Sequence, residues 1–217
     1  MVAIRRRQLL LGSVVAAAAL ATGCGGATGQ AGAPSPDDMA IGAANAPATL
    51  IEYASVTCPH CREFYETVFA DLKRNYIDTG KLRYIFREYP TPPAAVAVAG
   101  FQLARCGGAS PDQYITRVGV LFDQQSAIFA SGSMEGVRQK FIEIGGAAGL
   151  TEAQVMACIN DTSGADRINR IVQGAETQFH VTGTPTLILN GVKLEDPSAV
   201  TYAGLSRFID AAIAQHH

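Results

Sequence analysis

Short apolar runs and one helical repeat alternate in the first half of the chain. Residues 49–54 form a nearly continuous apolar run, which is typical of a buried parallel strand. After Pro59, apolar side chains recur at three- and four-residue spacing as far as Tyr76, which predicts a helix with one apolar face. Residues 82–89 predict a second strand, stopped by a cluster of prolines. Strand, helix and strand in this order predict a right-handed crossover unit.

The middle of the chain, residues 94–180, has a helical pattern throughout. Residues 110–113 and 151–154 both fit the capping-box pattern that begins a helix, and residues 131–133 mark a break between helices. The spacing predicts four or five helices with no strand between them.

The last part returns to strands. Residues 185–189 predict a strand, Asn190-Gly191 a tight hairpin turn, residues 192–194 the partner strand, and residues 198–214 a final helix. Without the helical middle, the order is a βαβ unit followed by ββα. The predicted fold class is therefore α/β, a thioredoxin layout with a helical insertion.

Composition agrees with a folded domain. The 217 residues are 48% hydrophobic and 17% charged, which provides a core and argues against disorder. The formal net charge of −2 is not basic, so nucleic acid is not an expected partner.

The first 23 residues predict an export signal. Three arginines, Arg5 to Arg7, precede an apolar stretch over residues 9–21, and no acidic residue interrupts it. This stretch is shorter than the roughly 20 apolar residues that span a bilayer. The paired arginines also fit a twin-arginine signal, and an ordinary signal peptide remains the alternative. Removal of residues 1–23 would leave the mature protein with a net charge of about −5.

Cys24 ends a sequence, Leu-Ala-Thr-Gly-Cys, that resembles a bacterial lipobox. We expect a lipid on Cys24, which then anchors the mature protein through a flexible Gly/Pro-rich tether. The alternative is cleavage after Ala21, which leaves Cys24 as a free thiol. The predicted division is a signal at 1–23, a tether at 24–40, fold segments at 41–92 and 181–217, and the insertion at 93–180.

The sequence Cys58-Pro59-His60-Cys61 carries the expected chemistry. Two cysteines three residues apart, at a helix start just after a strand, favour a thiolate at Cys58 because the helix N-terminus offers free N–H groups and partial positive charge. Cys61 is close enough to form or resolve a disulfide, and His60 offers Cys58 a positive charge or an N–H donor. The alternative is part of a zinc site, for which the sequence shows no second ligand cluster, so neither a metal nor a cofactor is expected.

This motif resembles that of the DsbA family within the thioredoxin superfamily, and the resemblance covers roughly residues 41–214. It implies that a cis-proline, Pro185, preceded by Thr184, faces the redox pair and exposes backbone for pairing with a substrate. It also implies that Glu52 is a buried acid that accepts the proton of Cys61. The alternative places the Glu52 carboxylate in water at the strand end.

The same resemblance implies a second, structural disulfide between Cys106 and Cys158; the alternative is two buried free thiols. It implies reduced, cysteine-containing proteins as substrates, a quinone-linked membrane oxidase of the DsbB type as reoxidant, and a location in the periplasm or cell envelope.

Three functions compete at this stage. The expected one is a dithiol oxidant that introduces disulfides into proteins. The second is a disulfide isomerase or reductase with the same residues, and the third is a non-catalytic, lipid-anchored binding protein whose cysteines are structural.

Overall fold

Five strands form one mixed sheet at the centre of the protein, for which a computed structural model describes residues 35–215. The strands are β1 (Met39–Ile41), β2 (Ala48–Ala54), β3 (Leu82–Glu88), β4 (Thr186–Leu189) and β5 (Val192–Lys193). They lie in the order β1-β3-β2-β4-β5. Only β2 and β3 run parallel, and each of the other neighbouring pairs is antiparallel. The central strands therefore have the predicted βαβ and ββ connections. The predicted export signal and Cys24 lie outside the described residues.

One long helical segment connects β2 to β3. It begins as α1 (Pro59–Phe64), continues through a π-helical turn (Tyr65–Phe69) and α2 (Ala70–Leu72), and ends in a second π-helical turn (Lys73–Ile77). The predicted apolar face packs against the sheet, with five buried side chains: Phe64, Val68, Phe69, Leu72 and Tyr76.

The insertion contains six helices rather than four or five. They are α3 (Ala94–Arg105), α4 (Pro111–Asp123), α5 (Gln125–Phe129), α6 (Met134–Ala147), α7 (Glu152–Ile159) and α8 (Thr162–Phe179). Both predicted capping boxes are present, at the starts of α4 and α7. The count differs because only Gln124 separates α4 from α5, too short a break to interrupt the apolar spacing.

A buried carboxylate ties the insertion to the sheet. Glu88, at the end of β3, accepts hydrogen bonds from Arg105 Nε at 2.6 Å and from the Tyr114 hydroxyl at 3.2 Å. Because Glu88 is fully buried, these partners from α3 and α4 compensate its loss of hydration.

The C-terminal part forms a hairpin and a helix. Asn190 and Gly191 have φ values of 47° and 82°, the left-handed geometry of the tight turn that the sequence predicted. A 3₁₀ turn (Pro197–Val200) then precedes α9 (Tyr202–Ala214), so the predicted single helix is divided. Thr201 causes the division, because its side chain accepts from the Gly204 amide and caps α9.

Both faces of β2 are covered, which explains its almost continuous apolar sequence. Leu50, Glu52 and Ala54 point to the face that carries α1 and most of the core, whereas Ile51 and Tyr53 point to the opposite face, against α8. Alternation along the strand therefore places Glu52 on the same side of the sheet as the helix that begins at Pro59.

The strand β1 was not predicted. Met39–Ile41 pairs with β3 at the edge of the sheet, and its first two residues fall within the predicted tether. Just before it, Asp38 accepts hydrogen bonds from Arg87 Nε and Nη2, each at 2.9 Å. A three-residue edge strand has too few positions to show alternation, so the sequence pattern did not reveal it. The folded part of the chain therefore begins earlier than predicted, before residue 41. None of the helices within residues 35–215 is long and apolar enough to cross a membrane.

Candidate active site

Cys58 lies at the junction between the sheet and α1. It is the N-cap residue, with φ −84° and ψ 123°, and Pro59 occupies the first helical position. Proline is favourable there because that N–H has no intrahelical partner. Both Cys58 and Cys61 are free thiols, with Cys58 8% exposed and Cys61 0% exposed. An incoming sulfur therefore has access only to Cys58.

The surroundings of Cys58 favour its ionised form. A hydrogen bond from the Cys61 thiol is the largest cause that lowers the pKa of Cys58 to about 5, from an ordinary value of 9.0. Burial opposes this shift, while the Thr184 side chain and the backbone amides of Cys61 and His60 reinforce it. The helix N-terminus thus contributes as the sequence indicated, but the neighbouring thiol contributes more.

Cys61 has the opposite tendency. Complete burial raises the pKa of Cys61 well above its ordinary value, and its hydrogen bond to Cys58 and the charge of Glu52 raise it further. The pair is therefore asymmetric, with a reactive thiolate at the surface and a protonated thiol beneath it.

Glu52 is buried, with 2% of its surface exposed. Burial raises the pKa of Glu52 from 4.5 to about 7, although a hydrogen bond from Tyr84 partly counteracts this. The Tyr84 hydroxyl donates that bond at 2.5 Å. Since the carboxyl group titrates near neutral pH, it can both give and take a proton.

Aromatic and aliphatic side chains line one side of Glu52. A cavity of about 10 Å³ lies there, close to the minimum that holds one water molecule. Its walls come from the segment after Cys61, from β3 and from α4: Phe64, Tyr65, Phe69, Tyr84, Phe86, Ile115, Val118 and Phe122.

The Thr184–Pro185 peptide bond is cis and places the Thr184 backbone beside the redox pair. The Cys58 thiol contacts the Thr184 carbonyl oxygen at 3.4 Å. The Thr184 hydroxyl is buried and has no hydrogen-bond partner among the described residues, and its side chain lowers the pKa of both thiols. The structure thus brings Thr184 and Pro185 to Cys58, although 126 residues separate Thr184 from it.

The imidazole of His60 faces away from this contact. It is 77% exposed, with Nδ1 3.7 Å from a carboxylate oxygen of Glu63. The His60 contribution to the Cys58 pKa comes from its backbone amide.

An open groove runs from the redox pair along α1. Its volume is about 670 Å³, and it lies between α1, the cis-proline loop and the start of α9. The residues that line it are His60, Glu63, Phe64, Thr67, Val68, Thr184, Pro185, Val200, Thr201 and Tyr202.

Cys106 and Cys158 lie away from this site, in the insertion. They form a disulfide that joins the end of α3 to α7, with a Cα–Cα distance of 5.6 Å. Across residues 35–215, no three histidine, cysteine or acidic side chains are grouped so that they would hold a metal ion.

Two residues of the site were missed in the sequence. Tyr84 lies on the Glu52 side of the sheet, and strand alternation with the β2–β3 register was the signal that would have found it. Gln125, in α5, donates hydrogen bonds to the carbonyl oxygens of Val56 and Cys58. No local pattern marks Gln125, because its position depends on how the insertion folds back.

Comparison with known proteins agrees with this geometry. A family model described as thioredoxin matches residues 34–211. A Rickettsia bellii protein, provisionally named a protein-disulfide oxidoreductase, is 30% identical over 184 residues, which are 82% of this chain and 66% of that protein. A Rickettsia typhi protein with a corresponding name is 29% identical, and this chain spans 62% of its length.

Solved structures give the same result. Wolbachia pipientis alpha-DsbA1 superimposes with a TM-score of 0.73 at 26% identity, over 84% of this chain and 94% of that one. Oxidised BdbD from Bacillus subtilis, at 15% identity and a TM-score of 0.69, covers 82% of this chain and 93% of that one and agrees in fold. The helical insertion is included in both superpositions, since so much of each chain is covered. The chain therefore belongs to the thioredoxin family, and the relatives that it resembles there are DsbA proteins and protein-disulfide oxidoreductases.

Proposed function

We propose that this protein is an exported thiol–disulfide oxidoreductase that introduces disulfides into other proteins through Cys58 and Cys61. The observation that carries the proposal is the geometry of the pair: Cys58 is a free thiol at the N-terminus of α1, and Cys61 is fully buried beneath it. This arrangement lowers the pKa of Cys58 to about 5 and raises that of Cys61. Stabilising the thiolate stabilises the reduced protein, so the disulfide form is a strong oxidant.

The first step is attack by a substrate thiolate on Cys58 Sγ of the oxidised protein. A bond forms between the two sulfurs, the Cys58–Cys61 bond breaks, and Cys61 leaves with the electron pair. Because burial strongly disfavours a Cys61 thiolate, Cys61 takes up a proton, and the neutral Glu52 carboxyl is the donor on this side of the sheet.

The second step releases the product. A second substrate thiolate attacks the substrate sulfur of the mixed disulfide, and Cys58 leaves as a thiolate. Its low pKa makes it a good leaving group, so this step is favoured. The substrate gains a disulfide, and this protein gains two electrons.

Reoxidation reverses the proton transfer. The Cys58 thiolate attacks a disulfide of the reoxidant, which breaks that disulfide, forms a mixed disulfide and releases one reoxidant sulfur as a thiolate. Cys61 then loses its proton to the Glu52 carboxylate and attacks Cys58 Sγ, which forms the Cys58–Cys61 bond and releases the second reoxidant sulfur as a thiolate, so the reoxidant takes up two electrons. The proposed reoxidant is a quinone-linked membrane oxidase of the DsbB type, in the periplasm or cell envelope. A lipid on Cys24, if the lipobox functions, would keep the protein at the same membrane.

The groove beside Cys58 supports extended peptides as substrates. Phe64 of α1 and Val68 of the following π-helical turn give one wall apolar surface, and the Thr184 backbone at the cis-proline offers groups for pairing with a peptide. Thr184 and Pro185 are therefore proposed as substrate-binding residues, with Cys58, Cys61 and Glu52 as catalytic residues. Pro59 and His60 are proposed to support Cys58 through the helix start and a backbone amide.

The test combines an activity with an equilibrium. The oxidised protein should oxidise a reduced two-cysteine peptide stoichiometrically, and the reduction potential of the Cys58–Cys61 pair should lie well above that of thioredoxin, about −270 mV. Cys58→Ala should abolish the reaction. Rescue of a scrambled disulfide substrate at a potential near that of thioredoxin would favour an isomerase or reductase, and thiol assays unchanged by Cys58→Ala would favour the binding protein.

A further inference from the structure

The short helix α5 of the insertion lies directly over the active-site segment. Its first residue, Gln125, is 6% exposed, and its side chain reaches the backbone on either side of Thr57. We infer that Gln125 is a positioning residue that fixes the conformation of Cys58 and so keeps its thiolate stable. This inference rests on the proposed function and deepens it.

Both hydrogens of the Gln125 amide are used. Nε2 donates to the Val56 carbonyl oxygen at 2.9 Å and to the Cys58 carbonyl oxygen at 3.1 Å. Since both partners are acceptors, only the NH₂ group of the side chain can face them. A buried donor held by two backbone acceptors has one orientation, which makes the contact a rigid one.

The orientation of the Cys58–Pro59 peptide can be fixed by hydrogen bonds only through the Cys58 carbonyl oxygen. The next residue is proline, so the Cys58–Pro59 peptide has no N–H, and its oxygen is its remaining hydrogen-bonding group. That oxygen also accepts the Arg62 amide at 3.2 Å, the first bond of α1. Gln125 therefore acts on the peptide that sets where the Cys58 sulfur lies relative to the helix.

The orientation of this peptide matters for the thiolate. The backbone amides of His60 and Cys61 lower the pKa of Cys58 only while they point at its sulfur. Without Gln125 the Arg62 amide is the remaining hydrogen-bond partner of the Cys58 carbonyl among the described residues, so this peptide is held less firmly. A shift of the peptide separates those amides from the sulfur, and the thiolate loses hydrogen bonds that favour its charge.

A second contact from α5 supports the same function. Arg62 Nη1, one residue after Cys61, donates to the Ser126 hydroxyl at 2.9 Å. Adjacent residues of α5 thus contact the segment that enters α1, at Val56 and Cys58, and the residue that follows Cys61 within α1. The insertion is thereby coupled to the chemistry at Cys58.

The experiment uses a variant of similar volume and a matched control. Gln125→Met keeps the size and the helix propensity of the side chain but removes both hydrogen bonds. Gln102→Met is the control, because Gln102 is also a buried glutamine of the insertion, 5% exposed, that donates to a backbone carbonyl. Its acceptor is Asp161, at the start of α8 and outside the active-site segment.

The experiment has two readouts. The first is the Cys58 pKa, measured from the thiolate absorbance of the reduced proteins as the pH is varied. The second is the equilibrium constant for disulfide exchange with glutathione. Gln125→Met should raise the Cys58 pKa by about 0.5–1 unit, the effect expected from weakened hydrogen bonds, and reduce oxidising strength about three- to tenfold. Gln102→Met should lose stability without either shift.

The outcomes separate the two proposals. If the wild type oxidises the peptide, and Gln125→Met has the same Cys58 pKa and the same equilibrium constant as the wild type, the inference is overturned and the proposed function stands. If the wild type has an ordinary Cys58 pKa, the proposed function itself is wrong. Should Gln125→Met not fold, Gln125→Ala serves instead: it removes both hydrogen bonds without adding a charge, so its Cys58 pKa must also rise, and an unchanged value overturns the inference.

Discussion

Replacing Glu52 with glutamine should make the protein more stable and less active. The carboxyl group is buried, and its pKa is raised from 4.5 to about 7, whereas glutamine has the same shape, carries no charge, and still accepts the bond from Tyr84. Above pH 7 the wild type must hold a carboxylate in this apolar site. At 1.36 kcal/mol per pKa unit, that burial costs about 3 kcal/mol.

The pH dependence follows from the direction of the shift. Because the folded-state pKa is raised, the stability associated with Glu52 is fully present below pH 4.5 and is lost as the pH rises through 7. Urea unfolding of both reduced proteins should therefore give similar free energies near pH 4. Near pH 8, Glu52→Gln should be more stable by about 3 kcal/mol. Cys58 titrates in both proteins, so its contribution largely cancels in the difference.

The same variant should be slow in disulfide exchange. The variant lacks the carboxyl group proposed to accept the proton of Cys61 when Cys61 attacks Cys58, and loss of a general base typically costs about 10²-fold or more. Stopped-flow measurement of reoxidation by a small disulfide would show this. A stability difference that stays constant between pH 4 and pH 8, or a reoxidation rate equal to that of the wild type, would refute the reasoning.

Three further predictions concern the partner of Glu52 and the packing of the insertion. Tyr84→Phe removes the donor that counteracts burial, so the pKa of Glu52 should rise above 7, seen by infrared titration of its carboxyl band; an unchanged value would contradict the assignment. Replacing Cys106 and Cys158 together by serine should lower the free energy of unfolding by up to about 4 kcal/mol in urea, and equal midpoints would contradict a stabilising disulfide. Gly119→Ala would place a Cβ 2.0 Å from the hydroxyl of Tyr65 and should cost about 1–3 kcal/mol by thermal unfolding; an unchanged melting temperature would contradict a tight contact at this position.

The sheet and the helix after Cys58 were predictable because hydrophobic spacing encodes them locally. The apolar run of β2 and the three- and four-residue repeat after Pro59 each have enough positions to distinguish strand from helix. The edge strand Met39–Ile41 has only three positions, too few for this distinction. In the insertion, a single residue separates α4 from α5, so the pattern did not show them as two helices. Local pattern therefore gives the fold class but not every boundary.

The site was predictable as far as its motif and its resemblance reached. The two cysteines and Glu52 lie where expected, and the cis peptide before Pro185 brings Thr184 to Cys58. The sequence did not show which contact has the largest effect on the Cys58 pKa. The largest influence on the Cys58 pKa is its neighbour Cys61, and Gln125 reaches the same segment from the insertion. The spacing of the motif brings the two thiols together but does not rank their influence, and the Gln125 contact is a tertiary one that no spacing in the chain reveals.

Titration of the Cys58 thiolate tests the central claim most directly. In the reduced protein, the rate of alkylation by iodoacetamide should follow an ionisation with a midpoint near pH 5, and Cys58→Ser should remove that reaction while Cys61 stays unmodified. A midpoint near pH 9, the ordinary value for a thiol, would show that Cys58 is protonated at neutral pH and would contradict the account.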